Sequence, residues 1–124
     1  MRILIVEDEV VIALDLQSTL ESAGHTVIGT ALNIADAMEV VQADRADLAL
    51  ININLREGKG AGINFARELL HCYGVPSLFV SGQIVEARRN RDAALGYIGK
   101  PWTSRSLLES VKVVQCLIDG RDPA

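Results

Sequence analysis

Asp47-Leu48-Ala49-Leu50-Ile51-Asn52-Ile53-Asn54-Leu55 is the stretch whose reading decides the fold. Its strand from Leu48 to Ile53 is apolar but for Asn52 and shows no polar alternation, the pattern of a strand covered on both faces. Glu57-Gly58-Lys59-Gly60-Ala61-Gly62 follows, a glycine-rich loop too polar to continue the strand. The strand therefore runs out of a core and into a loop at Asn52, whose carboxamide closes the apolar segment. A polar side chain delivered to the end of a buried strand is a site residue in waiting, and its meaning depends on what the neighbouring strands deliver beside it.

Working outward, short apolar runs alternate with helical patterns. Arg2 to Val6 reads as a strand. Glu9 to Ala23 reads as a helix with a stripe through Val10, Ala13, Leu16, Gln17 and Leu20, with Asp8 placed to cap it and Gly24 to end it. Thr26 to Leu32 is a second strand, and Asn33 opens a second helix carrying Ile34, Ala37, Met38 and Val41. After the central strand comes a helix with Ile63, Phe65, Ala66, Leu69 and Leu70, ended by Gly74. Ser77 to Ser81 follows Pro76 as a fourth strand, Glu86 to Leu95 is a short charged helix, Gly96 to Gly99 a fifth strand, and Ser104 to Ile118 the last helix. Strands alternating with helices predict an α/β fold: a doubly wound, five-stranded parallel sheet with helices on both faces. One domain over residues 1–119 accounts for the pattern, and 120–124 reads as a frayed tail.

Bulk properties narrow the function. The chain has 124 residues, a net charge of −4 and 49% apolar residues. It has no run approaching the roughly 20 apolar residues of a membrane span, and Glu7-Asp8-Glu9 interrupts the N-terminal apolar run too early for a signal peptide. The acidic balance argues against binding nucleic acid or an anionic membrane. Cys72 and Cys116 lie in apolar helical patterns and read as buried thiols of a cytoplasmic protein rather than a disulfide.

In a doubly wound sheet, ligands bind beyond the carboxyl ends of the strands. Those ends deliver Glu7 and Asp8, Asn52 and Asn54, Ser81 and Gly82, and Lys100-Pro101. Acids, a hydroxyl and a lysine in one place fit a hard cation beside a phosphate-sized anion. In this order and spacing, the acid pair, Asn52 with Asn54-Leu55, Ser81-Gly82, Tyr97 and Lys100-Pro101 resemble the CheY-like receiver domain of two-component response regulators, along nearly the whole chain.

The resemblance implies that Glu7, Asp8, position 52 and the Asn54 carbonyl hold Mg²⁺, and that position 52 is normally an aspartate taking a phosphoryl group from a kinase phosphohistidine. It implies that Ser81 hydrogen-bonds the phosphoryl group, that Lys100 neutralises it, that Tyr97 is a switch residue paired with Ser81, and that Lys100-Pro101 is a cis peptide. Asn52 departs from the pattern. A carboxamide cannot serve as the acceptor, and its loss of charge is expected to weaken Mg²⁺ and leave Lys100 with a less negative neighbour. Either a natural pseudo-receiver or a replaced acceptor accounts for it.

The expected function is thus a single-domain, stand-alone receiver in a phosphorelay. Its partners would be a sensor histidine kinase or phosphotransfer protein and a downstream target, with no chemistry of its own as an enzyme. Val113, Cys116 and Leu117 widen the apolar stripe of the last helix (Leu107, Leu108, Val111, Val114, Ile118) and are expected to form a partner or homodimer surface. A phosphorylation-independent scaffold and a flavodoxin-like cofactor binder are the alternatives. The second lacks a phosphate-cradling loop after the first strand, and a metal-dependent phosphatase lacks a nucleophilic aspartate there.

Overall fold

The computed structural model describes residues 1–82 and 84–120. Ten elements follow in strict alternation: β1 (Arg2–Val6), α1 (Val10–Ser22), β2 (Thr26–Ala31), α2 (Ile34–Ala43), β3 (Leu48–Ile51), α3 (Ala61–Tyr73), β4 (Ser77–Ser81), α4 (Ile84–Arg89), β5 (Gly96–Gly99) and α5 (Ser104–Ile118). All strand pairs are parallel, in the order β2-β1-β3-β4-β5. Because successive strand side chains point to opposite faces, each central strand feeds two cores. Leu4, Val6, Ala49, Ile51 and Phe79 pack under α2, α3 and α4 with Ala37, Phe65, Leu69 and Ala87. Ile3, Ile5, Leu48, Leu50 and Val80 pack under α1 and α5 with Leu16, Leu20, Leu107 and Val111.

Helix ends follow from local chemistry. Asn33 Oδ1 accepts from the Asp36 N–H at 2.8 Å and starts α2, and Thr103 and Ser106 cap α5 reciprocally. Gly74, at φ +67°, ends α3 in the left-handed conformation that side chains disfavour.

Several boundaries differ from expectation. Glu9, not Asp8, precedes α1, without a side-chain cap; the Asp8 carboxylate is engaged elsewhere, as shown below. β2 ends at Ala31 and β3 at Ile51, one and two residues early. α4 has six residues, beginning two residues before the predicted Glu86–Leu95 helix and ending six residues before its end. It stops because Asn90 Nδ2 donates to the Glu86 carbonyl at 2.8 Å, drawing the chain out of the helix. Cys72 is exposed and Cys116 half-buried, both as free thiols. On α5, Ile118 leaves the buried stripe, and Val113 and Leu117 are exposed (42% and 53%). Gln83 and the tail beyond Gly120 lie outside the described residues. Among the described residues no helix is long and apolar enough to cross a membrane.

Candidate functional site

The backbone delivers the site residues one step beyond the strand ends. Glu7 N–H still donates to the Ala31 carbonyl of β2 at 3.0 Å, Asn52 N–H to Val6 of β1 at 2.9 Å, and Lys100 N–H to Ser81 of β4 at 3.2 Å. Each side chain is thus anchored by the last rung of the sheet before it turns into the space above. β1 and β3 are also where the strand order reverses, the crevice in which such sheets bind ligands.

Glu7 is 1% exposed, Asn52 8% and Ser81 3%. Lys100 Nζ reaches Glu7 Oε1 at 2.7 Å. Burial pushes the Glu7 carboxyl above the ordinary glutamate range, and Lys100 draws it part of the way back. The other Glu7 oxygen faces the amide: Asn52 Nδ2 donates to Glu7 Oε2 at 2.9 Å, to the Asn54 carbonyl at 3.1 Å and to Asp8 Oδ1 at 3.2 Å. The fold therefore brings Glu7, Asp8, Asn52, Asn54 and Lys100 together, with the Lys100-Pro101 peptide cis. Ser81 closes β4 in register with Gly99, the residue before Lys100.

The loop beyond β3 is pinned rather than flexible. Asn54 Oδ1 accepts from the Gly60 N–H at 2.8 Å, and Glu57 Oε2 reaches across to the Ile34 N–H of α2 at 2.6 Å. Sequence reading missed both contacts; a glutamate two residues after Leu55 gives no hint that it caps a helix elsewhere. Gly62 is required by closeness: a β-carbon there would lie 2.0 Å from the Asn52 carbonyl oxygen.

Tyr97 points away from the site, 37% exposed, its hydroxyl accepting from Arg88 Nε at 3.3 Å. Val113, Cys116 and Leu117 lie on α5, away from the strand ends. Asp47 sits at the opposite end of the sheet, accepting from the Arg2 N–H at 2.8 Å. A cavity of about 610 Å³ opens at that same far end, between Val41, Asp47, Tyr73 and Pro76, and shares nothing with the strand-end residues.

Does this set fit Mg²⁺? The cation takes oxygen ligands at about 2.0–2.1 Å with near-octahedral geometry. Here two carboxylates and one carbonyl converge, but all three already accept from one amide nitrogen, which is no metal ligand. Among the described residues, no group of three His, Cys, Asp or Glu side chains is arranged to hold a metal ion. As they stand, the residues do not fit it.

The response regulator receiver domain model matches residues 3–112. The chain belongs to the response regulator receiver family. It is 38% identical over 81 residues to the phyllosphere-induced regulator PhyR of Methylorubrum extorquens, covering 64% of this chain and 30% of that protein. It is 30% identical over 115 residues to the transcriptional regulatory protein PdtaR of Mycobacterium tuberculosis, covering 90% of this chain and 55% of that protein. The chain thus spans about a third to about half the length of these relatives. A CheY-like receiver domain from Methanospirillum hungatei superposes with a TM-score of 0.85 at 26% identity, covering 96% of both chains. This receiver shares its family with the regulators PhyR and PdtaR and its CheY-like fold with other receiver domains. Receivers of this family bind Mg²⁺ at the phosphorylation site and act on partner proteins.

Proposed function

We propose that this receiver, read as one domain over residues 1–119, signals by binding other proteins and that phosphoryl transfer to it is blocked at Asn52. The observation carrying this reading is the strand-end array itself: Glu7, Asp8, Asn54 and Lys100 surround position 52, and the side chain at that position is an amide. Attack on phosphorus needs an anionic oxygen, with Mg²⁺ and a lysine balancing the phosphoryl charge. The amide oxygen carries no full charge and the amide nitrogen's lone pair is delocalised. No nearby carboxylate replaces it. Asp47 is at the far end of the sheet, Glu57 is spent on α2, and Asp8 belongs to the array.

In this reading Ser81 and Lys100 are the residues that would contact a phosphoryl group, Tyr97 is the switch residue, and the oxygens that would hold Mg²⁺ beside an aspartate are already taken by the Asn52 amide. Upstream stands a sensor histidine kinase or phosphotransfer protein in the cytoplasm, and downstream a target protein. Two surfaces suit such partners. One is the exposed apolar pair Val113 and Leu117 beside Cys116 on α5, which also suits a homodimer. The other is a cavity of about 420 Å³ between α4 and β5, framed by Arg88, Arg91, Leu95 and Tyr97. If sedimentation shows only monomer and Val113→Glu leaves partner capture unchanged, the α5 surface drops out.

The test of the main reading is Asn52→Asp incubated with a small acyl phosphate and Mg²⁺. Intact-mass spectrometry is expected to show one phosphoryl adduct on the aspartate variant and none on the unaltered protein. An unmodified aspartate variant, or equal modification of both, overturns it.

A further inference from the structure

We infer that the Asn52 carboxamide nitrogen is a built-in stand-in for the receiver's divalent cation, holding the acidic array closed without metal. The inference deepens the reading above and rests on it for what the array is. Its starting point is a coincidence of atoms. Of the four groups expected to ligate the cation, three lie outside position 52, on Glu7, Asp8 and the Asn54 backbone, and one Asn52 nitrogen lies within 2.9–3.2 Å of an oxygen of each. Those oxygens only accept, so the amide must turn its NH₂ toward them. Two polarised N–H bonds then supply the positive end that the array requires.

The remaining charge is also accounted for. Lys100 occupies the second Glu7 oxygen, so two carboxylates face one ammonium and one amide. An aspartate at position 52 would add a third carboxylate and make the array depend on a cation. The asparagine reverses that dependence. An entering Mg²⁺ needs the same lone pairs at about 2.1 Å, too close for the nitrogen to remain. Rotating the amide to offer its oxygen forfeits both N–H donations shared among the three oxygens, at a residue only 8% exposed.

Occupation by the nitrogen and simple loss of charge make different predictions, and Asn52→Ala separates them. Alanine removes the nitrogen and adds no charge, so it frees Glu7, Asp8 and the Asn54 carbonyl for metal. The experiment compares the unaltered protein, Asn52→Asp and Asn52→Ala in chelated buffer and with millimolar Mg²⁺ at matched ionic strength. The readouts are thermal melting and the fluorescence of Trp102, the single tryptophan. Trp102 lines a cavity with Lys100 and Pro101 beside the site. Asn52→Ser serves as a second nitrogen-free variant should alanine fail to fold by circular dichroism.

The unaltered protein is expected to melt at the same temperature with and without Mg²⁺. Asn52→Asp is expected to melt lower without metal and recover with it. Asn52→Ala is expected to acquire a Mg²⁺ response, half-saturating at roughly tenfold or more higher concentration than the aspartate variant because it has one site charge fewer. A Mg²⁺ response of the unaltered protein in the same range as Asn52→Asp overturns the inference. So does a silent, folded alanine or serine variant, which would make lost charge alone the cause. Phosphoryl transfer to Asn52→Asp is read separately: if it fails while the melting pattern holds, only the acceptor reading falls, and the converse removes only the stand-in.

Discussion

Gly62→Ala tests whether α3 is packed against the end of β3 as tightly as the geometry states. Gly62 is the second residue of α3, and its N–H donates to the Ile53 carbonyl at 2.8 Å. A β-carbon added there meets the Asn52 carbonyl oxygen at 2.0 Å, the Asn52 carbonyl carbon at 2.9 Å and Ile53 Cα at 2.9 Å. All three are backbone atoms, so no side chain can swing aside. Restoring ordinary contact moves α3 and the strand end apart by roughly 1.5 Å. Overpacking of this kind costs about 1–3 kcal/mol, and stretching the Gly62 hydrogen bond adds about 1 kcal/mol. A loss of about 3 kcal/mol is expected, equivalent to a melting point lower by roughly 10 °C for a domain of this size. Urea denaturation measures it, with an unchanged slope certifying that the two-state comparison holds. Gly96→Ala is the control: its β-carbon meets only Leu78 Cδ2, at 3.5 Å, so a change within about 0.5 kcal/mol is expected. A loss below about 1 kcal/mol for Gly62→Ala would refute the reasoning, because it would mean that the loop gives way freely.

Lys100→Met should destabilise by about 2–3 kcal/mol, since it strands a buried Glu7 carboxylate; the lysine's partial exposure keeps the loss below that of a fully buried pair. Adding Glu7→Gln should recover much of it, and a double-mutant cycle by urea titration showing no coupling would contradict the pairing. Arg67 of α3 bridges to Asp92 at 2.9 Å and to Asn90 at 2.6 Å, so Arg67→Ala should speed amide exchange across 84–92 while the exchange of β1 and β3 stays unchanged. Uniform exchange would mean the bridge restrains nothing. The His25 ring accepts from the N-terminal ammonium at 3.0 Å, and burial, then that charge, lower its pKa below 6.5. A base held neutral in the fold is protonated more readily when unfolded, so this contribution is complete above pH 6.5 and is lost as pH falls from there through the folded value. His25→Gln should flatten the fall in stability between about pH 7 and pH 5; parallel curves for the two proteins would refute it.

The fold was legible because the central strands announce themselves by near-continuous apolar runs and the longer helices by a stripe, and because parallel sheets admit few orders. The central site was legible as a set of residue types at strand ends. What local sequence could not convey was competition for side chains. Asp8 is a good capping residue by identity, yet its carboxylate is held by Asn52 Nδ2 and α1 begins uncapped. The charged segment after Ser81 reads as one helix of ten residues, but Asn90 turns its amide onto the Glu86 carbonyl while Arg67, from 23 residues back, grips its oxygen. Glu57 reads as a loop residue and is a cap for a helix earlier in the chain. In each of these cases a side-chain hydrogen bond overrides the preference of the local sequence, across the fold for Asp8 and Glu57 and jointly with a local one for Asn90.

Asn52 has the same character. Read in one dimension it is a subtraction, a lost charge in an acidic pocket that would leave Glu7 and Asp8 repelling each other. In three dimensions its nitrogen is on the side of the amide that those acids attract. The consequence reaches the output side of the domain. A ligand shifts a conformational equilibrium only by its difference in affinity for the two states. In the proposed reading the residue at position 52 cannot take a phosphoryl group, so this receiver has no such ligand there. Any bias must then act on the outer elements directly, where Tyr97 is held outward by Arg88 and α4 is fastened to α3 through Arg67. A partner that competes for Arg88 or Arg67 would do from outside what phosphorylation does from within. On the proposed function, the control of this receiver lies in its partner's contacts rather than in its own chemistry.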